Sequence, residues 1–345
     1  MIGRYNEFLT LSQPHSAMQY STQQLRVHQV LGLQPGPRLI VLGAVHGSEV
    51  AGARGIERVI DELDSGELTV VKGSLTLVPV TNPLAYQKAQ RNGDRNLNRN
   101  LRPTAEPQDF EDHIANVLCP LLSRHDVLLD LHTFQSQGEP FVMIGPDNNS
   151  GTLEPFEHAA KEQALALRLG PARIVEGWLS TYAQGVKDRL ARTKVTDRAE
   201  LLSTDPSYGI GTTEYMRSQG GYAVTLECGQ HADVSAPEVA YRAILNALAH
   251  LGLVGEASPK AHAKVEFLKL VQVVDRHHPE DQFARPWASY DAVGPGELIG
   301  TRHDGTAVTA PGQGYIVFPN THATRGNEWF YFAQASLRDI FDTAV

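Results

Sequence analysis

The stretch that most constrains the fold is "RLIVLGAV", residues 38–45, which is apolar on both faces once Arg38 is passed. A strand that buries both faces needs helices on either side of its sheet, the arrangement of a parallel α/β fold. Comparable runs follow in "GSLTLVPV" (73–80), "DVLLDLH" (126–132), "EPFVMIG" (139–145) and "GGYAVTLECG" (220–229), and all read as strands. An early strand is expected within 19–31, closed by the turn "GLQPGP" at 32–37. Residues 49–64, 107–124, 152–169 and 236–254 repeat apolar positions at helical spacing, and 181–219 is mixed. Strands alternating with helices predict an α/β fold with an open, mostly parallel mixed sheet flanked by helices.

From "ASPKAHAKVEFLKLVQVVDR" (257–276) onward the pattern changes. Short alternating runs are separated by Gly/Pro turns, and a helical segment is expected only in the last residues. The reading is therefore two units: residues 1–256 as the larger α/β domain and 257–345 as a smaller all-β domain, joined near "GEASPK". A chain of 345 residues has room for both.

Composition serves mainly to exclude. The formal charge of −9 argues against nucleic acid or an anionic membrane as the main partner. No run approaches the ~18 apolar residues of a membrane-spanning helix. The opening "MIGRYNEFLTLSQPHSAMQ" has neither the basic start nor the apolar run of a signal peptide. With only two cysteines, Cys119 and Cys228, a disulfide framework is not expected and a cytoplasmic location fits best.

Ligands of open α/β sheets gather at the carboxyl ends of the strands, so the polar residues just past each buried run are the ones to weigh. "RLIVLGAV" delivers His46 and Glu49, "DVLLDL" delivers His132, and "YAVTL" delivers Glu227. A lone His-x-x-Glu is commonly a surface turn or a helix start, and a lone strand-end histidine is commonly structural. Their convergence on one sheet edge is the stronger signal. Two imidazoles and one carboxylate are the protein ligands of a catalytic zinc with an open position for water. Glu227 is placed to move the proton between that water and a leaving nitrogen. Asp130, two residues before His132 on the same strand face, is a candidate to orient an imidazole.

The loop "QRNGDRNLNRN" (90–100) spaces Arg91, Arg95 and Arg99 four apart, with Asn96, Asn98 and Asn100 between them. A solvated loop or an arginine-lined helical face explains such spacing, and for Arg95 and Arg102 that reading stands. An Asn-Arg pair can also grip a carboxylate, and a separate arginine near a metal can stabilise an oxyanion. Strand alternation turns Cys228 away from Glu227, which makes it a buried structural thiol. His277, His278 and His303 lie in turn-like contexts and read as exposed.

In order, "HGSE" (46–49), "NP" (82–83), Arg91 with Asn98-Arg99, "DLH" (130–132) and "TLECG" (225–229) resemble the succinylglutamate desuccinylase/aspartoacylase group of zinc carboxypeptidase-like metallohydrolases. The resemblance covers roughly residues 38–250, and a trailing β domain suits it. It implies one Zn2+ per chain held by His46, Glu49 and His132, with Glu227 as general base and acid. Arg91 would hold the oxyanion, and Asn98 and Arg99 a substrate carboxylate. The implied partner is a small N-acylated carboxylate, not a nucleic acid or a membrane; a homo-oligomer is left open. Two departures stand out: Ser48 replaces the Asn or Asp often found in the first motif, and "NRNLRP" lacks the usual Phe-Pro-Gly ending. A metallo-carboxypeptidase acting on a small peptide, or a non-catalytic binding homologue, are the rival readings.

Overall fold

A computed structural model describes residues 20–193 and 204–339. The elements in chain order are β1 (His28–Leu31), β2 (Gln34–Leu42), α1 (Ala51–Ser65), β3 (Lys72–Val78), α2 (Pro83–Gln87), α3 (Phe110–Leu122) and β4 (Val127–Phe134). There follow β5 (Phe141–Met143), α4 (Ala159–Ala166), β6 (Arg173–Glu176), α5 (Trp178–Arg192), α6 (Thr212–Ser218), β7 (Tyr222–Gln230) and α7 (Ala236–His250). The chain continues with β8 (Glu266–Asp275), β9 (Gln282–Phe283), β10 (Ala292–Val293), β11 (Leu298–Thr301), β12 (Ala307–Thr309), β13 (Gly314–Val317) and β14 (Glu328–Ala335).

Eleven strands form one mixed sheet in the order β1-β3-β2-β4-β7-β5-β6-β8-β14-β13-β10. The centre, β3-β2-β4-β7, is parallel throughout. The apolar runs behave as a doubly covered sheet requires. Leu39, Val41, Leu129 and Leu131 pack with Ile56 and Val59 of α1 and Ala240 and Ile244 of α7. Their neighbours Ile40, Leu42 and Leu128 pack on the other face with Ile114 and Leu118 of α3. Burying each such side chain contributes about 1.5–3 kcal/mol, which fixes the register of the strands that carry the site.

Residues beyond 257 contribute to two sheets. β8 runs parallel to β6, and β14, β13 and β10 extend the large sheet antiparallel. β9, β11 and β12 form a separate three-stranded sheet.

Three expectations need correction. The helix expected over 152–169 is confined to Ala159–Ala166, because residues 149 and 156 pair as an isolated bridge and Pro155 precedes it. The arginines of 91–99 lie in bends and turns rather than along a helix, so their spacing of four is not a helical face. The strand read over 38–45 ends at Leu42, since Ala44 turns into the left-handed region at φ 43°. The mixed region resolves into α5 and α6, with residues 194–203 outside the described set; residue 19 and the last six residues of the chain lie outside it too.

Candidate functional site

β2, β4 and β7 are neighbours, so the residues at their carboxyl ends meet. His46 and Glu49 lie in the turn between β2 and α1, and His132 lies near the end of β4. All three are buried, with 2–3% of their surface exposed. Nδ1 of His46 is 2.8 Å from Oε1 of Glu49, and Nδ1 of His132 is 2.8 Å from Oε2. The three ligand atoms fall within 4.8 Å of one another, and no other group of three such residues is as close among the described residues. Two imidazole nitrogens converging on one carboxylate suit a divalent metal ion, so the chain's residues fit the group that the sequence implies.

Gly47 is what allows the turn, though not by a left-handed dihedral; that conformation belongs to Ala44. A Cβ on Gly47 would lie 1.9 Å from the carbonyl carbon of Ala85 and 2.2 Å from the amide of Tyr86. The end of α2 thus presses directly on the turn that carries His46 and Glu49. Asn82 of the "NP" pair, fully buried, caps α2 by accepting from the amide of Ala85.

Glu227 faces His132 in the β4–β7 register. Burial pushes its carboxyl up to about 8, with Glu49 and Asp130 adding to the rise and His132 and Arg91 opposing it. Its Oε2 is buried without a hydrogen-bond partner. The imidazoles diverge. Burial and Arg91 lower His46 to about 4. Burial also works against the charge of His132, but Asp130 and Glu49 outweigh it and raise its pKa.

The arginine loop reaches His46 and Glu49. Arg91, half exposed, donates to Oε1 of Glu49 at 2.9 Å. The side-chain oxygen of Asn96, unassigned from sequence, accepts from the Nε2–H of His46 at 3.0 Å. Arg99 lies half-buried against Trp178 and Tyr182, 4.7 and 5.3 Å from the ring centres, with Glu328 at 3.9 Å. Asn98 spends its side-chain oxygen on the amide of Thr212 at 2.9 Å. Arg95 is structural, paired with Asp109 and Asp112, and Arg102 is exposed.

What sequence reasoning missed is the carboxylate that organises this loop. Glu111 of α3, fully buried, accepts from the amides of Gly93, Asp94 and Arg95 and from Asn82. A glutamate on the apolar face of a helix was the available signal. Cys228 is buried in the core as expected. His277 and His303 are exposed, while His278 is half-buried and stacks on His303 at 4.1 Å.

His46, Glu49, Arg91, Asn98, Arg99, His132 and Glu227 all line one cavity of about 1250 Å3. Its aromatic wall includes Phe134, Phe318, Trp178 and Tyr331. The five non-glycine residues with positive φ among the described residues are Ala44, Ala89, Asn100, Tyr290 and Phe318. The first three lie within two residues of His46, Arg91 and Arg99; the other two pack on Phe141, which faces Glu227. Each such conformation costs on the order of 1–3 kcal/mol, and strain of this kind concentrates at working sites.

Residues 35–142 match the family profile described as the succinylglutamate desuccinylase/aspartoacylase catalytic domain. No curated protein matches the sequence. The fold is similar to that of a succinylglutamate desuccinylase/aspartoacylase from Rhodobacter sphaeroides, at 18% identity and TM-score 0.67, over 90% of this chain and 89% of that one. It is also similar to the product-bound ectoine utilization protein of Ruegeria pomeroyi, at 17% identity and TM-score 0.65, over 90% and 88%. An aspartoacylase family protein from Mesorhizobium loti aligns at 18% identity and TM-score 0.61, over 92% and 98%. Residues 35–142 thus carry the catalytic-domain pattern of the succinylglutamate desuccinylase/aspartoacylase family, and the chain has that family's fold.

Proposed function

We propose that this chain is a zinc-dependent amidohydrolase that removes the acyl group from an N-acyl amino acid or a related small amine. The family match supports a hydrolase of the desuccinylase/aspartoacylase type. The observation that carries the finer reading is the convergence of His46 and His132 on the two oxygens of Glu49, with Glu227 opposite His132. A zinc ion held there supplies Lewis-acid polarisation of a carbonyl and acidifies water. Glu227 takes a proton from the attacking water and returns it to the departing amine. Arg91 carries the positive charge that meets the oxyanion. Asn98 and Arg99 hold a substrate carboxylate, Arg99 prepositioned by its two aromatic neighbours.

The proposed division keeps residues 1–256 as the catalytic unit and 257–345 as a β unit. The β unit supplies Phe318, Glu328 and Tyr331 to the cavity wall, which favours small substrates over an extended peptide. No helix among the described residues is long and apolar enough to cross a membrane. A cytoplasmic location remains our proposal, resting on the two free, buried cysteines.

The test is incubation of zinc-supplemented protein with N-acetyl, N-succinyl and N-formyl amino acids, reading amine release. Release from at least one class is expected. Release only from C-terminal peptide bonds would favour the carboxypeptidase reading, and no release from any substrate would reject hydrolysis.

A further inference from the structure

Asp130 is fully buried, and its carboxylate meets the hydroxyl of Thr212 and the imidazole of His132. The hydroxyl of Thr212 donates to Oδ2 of Asp130. Its Oδ1 is buried without a partner. Nε2 of His132 lies 2.9 Å from the same Oδ2. Thr212 and His132 therefore meet at one carboxylate oxygen, and without the hydroxyl that oxygen keeps only the histidine contact.

Thr212 also reaches the other side of the site. Its amide donates to the side-chain oxygen of Asn98 at 2.9 Å. The preceding Gly211 makes that approach possible, since a Cβ there would lie 2.0 Å from the Asn98 oxygen. Thr212 opens α6 and is itself fully buried. The amide of Gly211 donates to Glu214 at 2.9 Å, which ties down the start of α6. The hydroxyl of Thr212 has one proton, and the contact with Asp130 uses it; the 3.3 Å approach of the hydroxyl to Asn98 is the weaker alternative.

We propose that Thr212 is a positioning residue for His132: its hydroxyl sets the Asp130 carboxylate against the imidazole while its amide anchors Asn98. The metal-binding histidine and the substrate-side loop then share one fixed point at the start of α6. The inference rests on the metal reading of His132; a carboxylate placed as Asp130 is on such a histidine tunes metal affinity by about 10–100-fold, and Thr212 acts through it.

Two measurements on the full chain test it. In chelator competition for zinc, Thr212→Val is expected to weaken binding 10–100-fold, whereas Thr212→Ser, which restores the hydroxyl, is expected to bind as wild type. In metal-free protein, the imidazole 15N resonances of His132, assigned by their loss in His132→Gln, are expected to shift in Thr212→Val and return in Thr212→Ser. Thr212→Ala replaces the valine variant should the latter not fold, with the same expectations. Unchanged affinity and unmoved resonances in the hydroxyl-free variant would overturn the proposal. So would a serine variant as impaired as the valine one, because the loss would then follow shape and not the hydroxyl. Should wild type bind no zinc while the resonances still respond to the hydroxyl, the zinc reading fails and the positioning role stands.

Discussion

His132 and Glu227 stand directly opposite each other on adjacent parallel strands, β4 and β7. This pairing brings the proposed metal ligand and the proposed proton carrier together in one small space. Parallel register delivers both side chains to one sheet edge, and burial withholds water from each. Glu227 is thereby pushed up to about 8, a value suited to exchanging protons near neutrality.

The metal assignment makes a direct prediction for His46. His46→Ala leaves Glu49 and His132 as two ligands, too few for a tight site. Metal analysis after dialysis should find stoichiometric zinc in wild type and none retained in the variant. A variant that keeps one zinc per chain would remove His46 from the ligand set.

Arg91 and Arg99 should fail in different ways. Arg91 touches Glu49, and Arg99 sits deeper, against Trp178 and Tyr182. Arg91→Ala is expected to lower kcat on the order of 10²–10³-fold, as loss of an oxyanion donor does. Arg99→Ala is expected to act mainly on KM. Steady-state kinetics on one N-acyl amino acid separates them, and a reversed pattern would exchange their roles.

Much of this site was legible in the sequence because buried parallel strands leave little freedom. "RLIVLGAV", "DVLLDLH" and "YAVTLECG" announce both their burial and the residues that follow them. The loop at 90–100 was harder to read. Its spacing of arginines mimics a helix, yet its shape is imposed by Glu111, whose carboxylate collects three of its amides from another element. The strand β6 was also missed: four residues, Arg173–Glu176, carry too little pattern to distinguish from a loop. Nor does alternation in 257–339 reveal that β8 joins the large sheet, because strand partners are chosen by packing and not by local sequence.

Gly47 should tolerate no side chain. Gly47→Ala drives a methyl into the backbone of Ala85 and Tyr86 and is expected to destabilise the fold by about 1–3 kcal/mol or more. Denaturant unfolding measures this, with weaker zinc binding accompanying it. A variant as stable as wild type would mean that α2 can retreat from the turn.

Glu154, on the same cavity but outside the His46-Glu49-His132 group, gives a separate pH signature. Burial pushes its carboxyl up from 4.5 to about 7; Arg217 opposes the rise, and Glu214 and Glu162 add to it. The folded state therefore holds this proton where the unfolded chain has lost it. Its contribution to stability falls as pH rises from about 4.5 to about 7 and is constant above that. Melting temperature against pH should show a shallower fall over that window in Glu154→Gln. An identical slope in the variant would assign the effect elsewhere.

The central claim separates metal binding from proton transfer, and Glu227→Gln tests it most directly. Zinc content and amine release are to be measured side by side on that variant and on wild type, with whichever N-acyl amino acid wild type hydrolyses. The account predicts equal zinc and a loss of turnover of at least about 10²-fold. Turnover at the wild-type rate with zinc in place would contradict it.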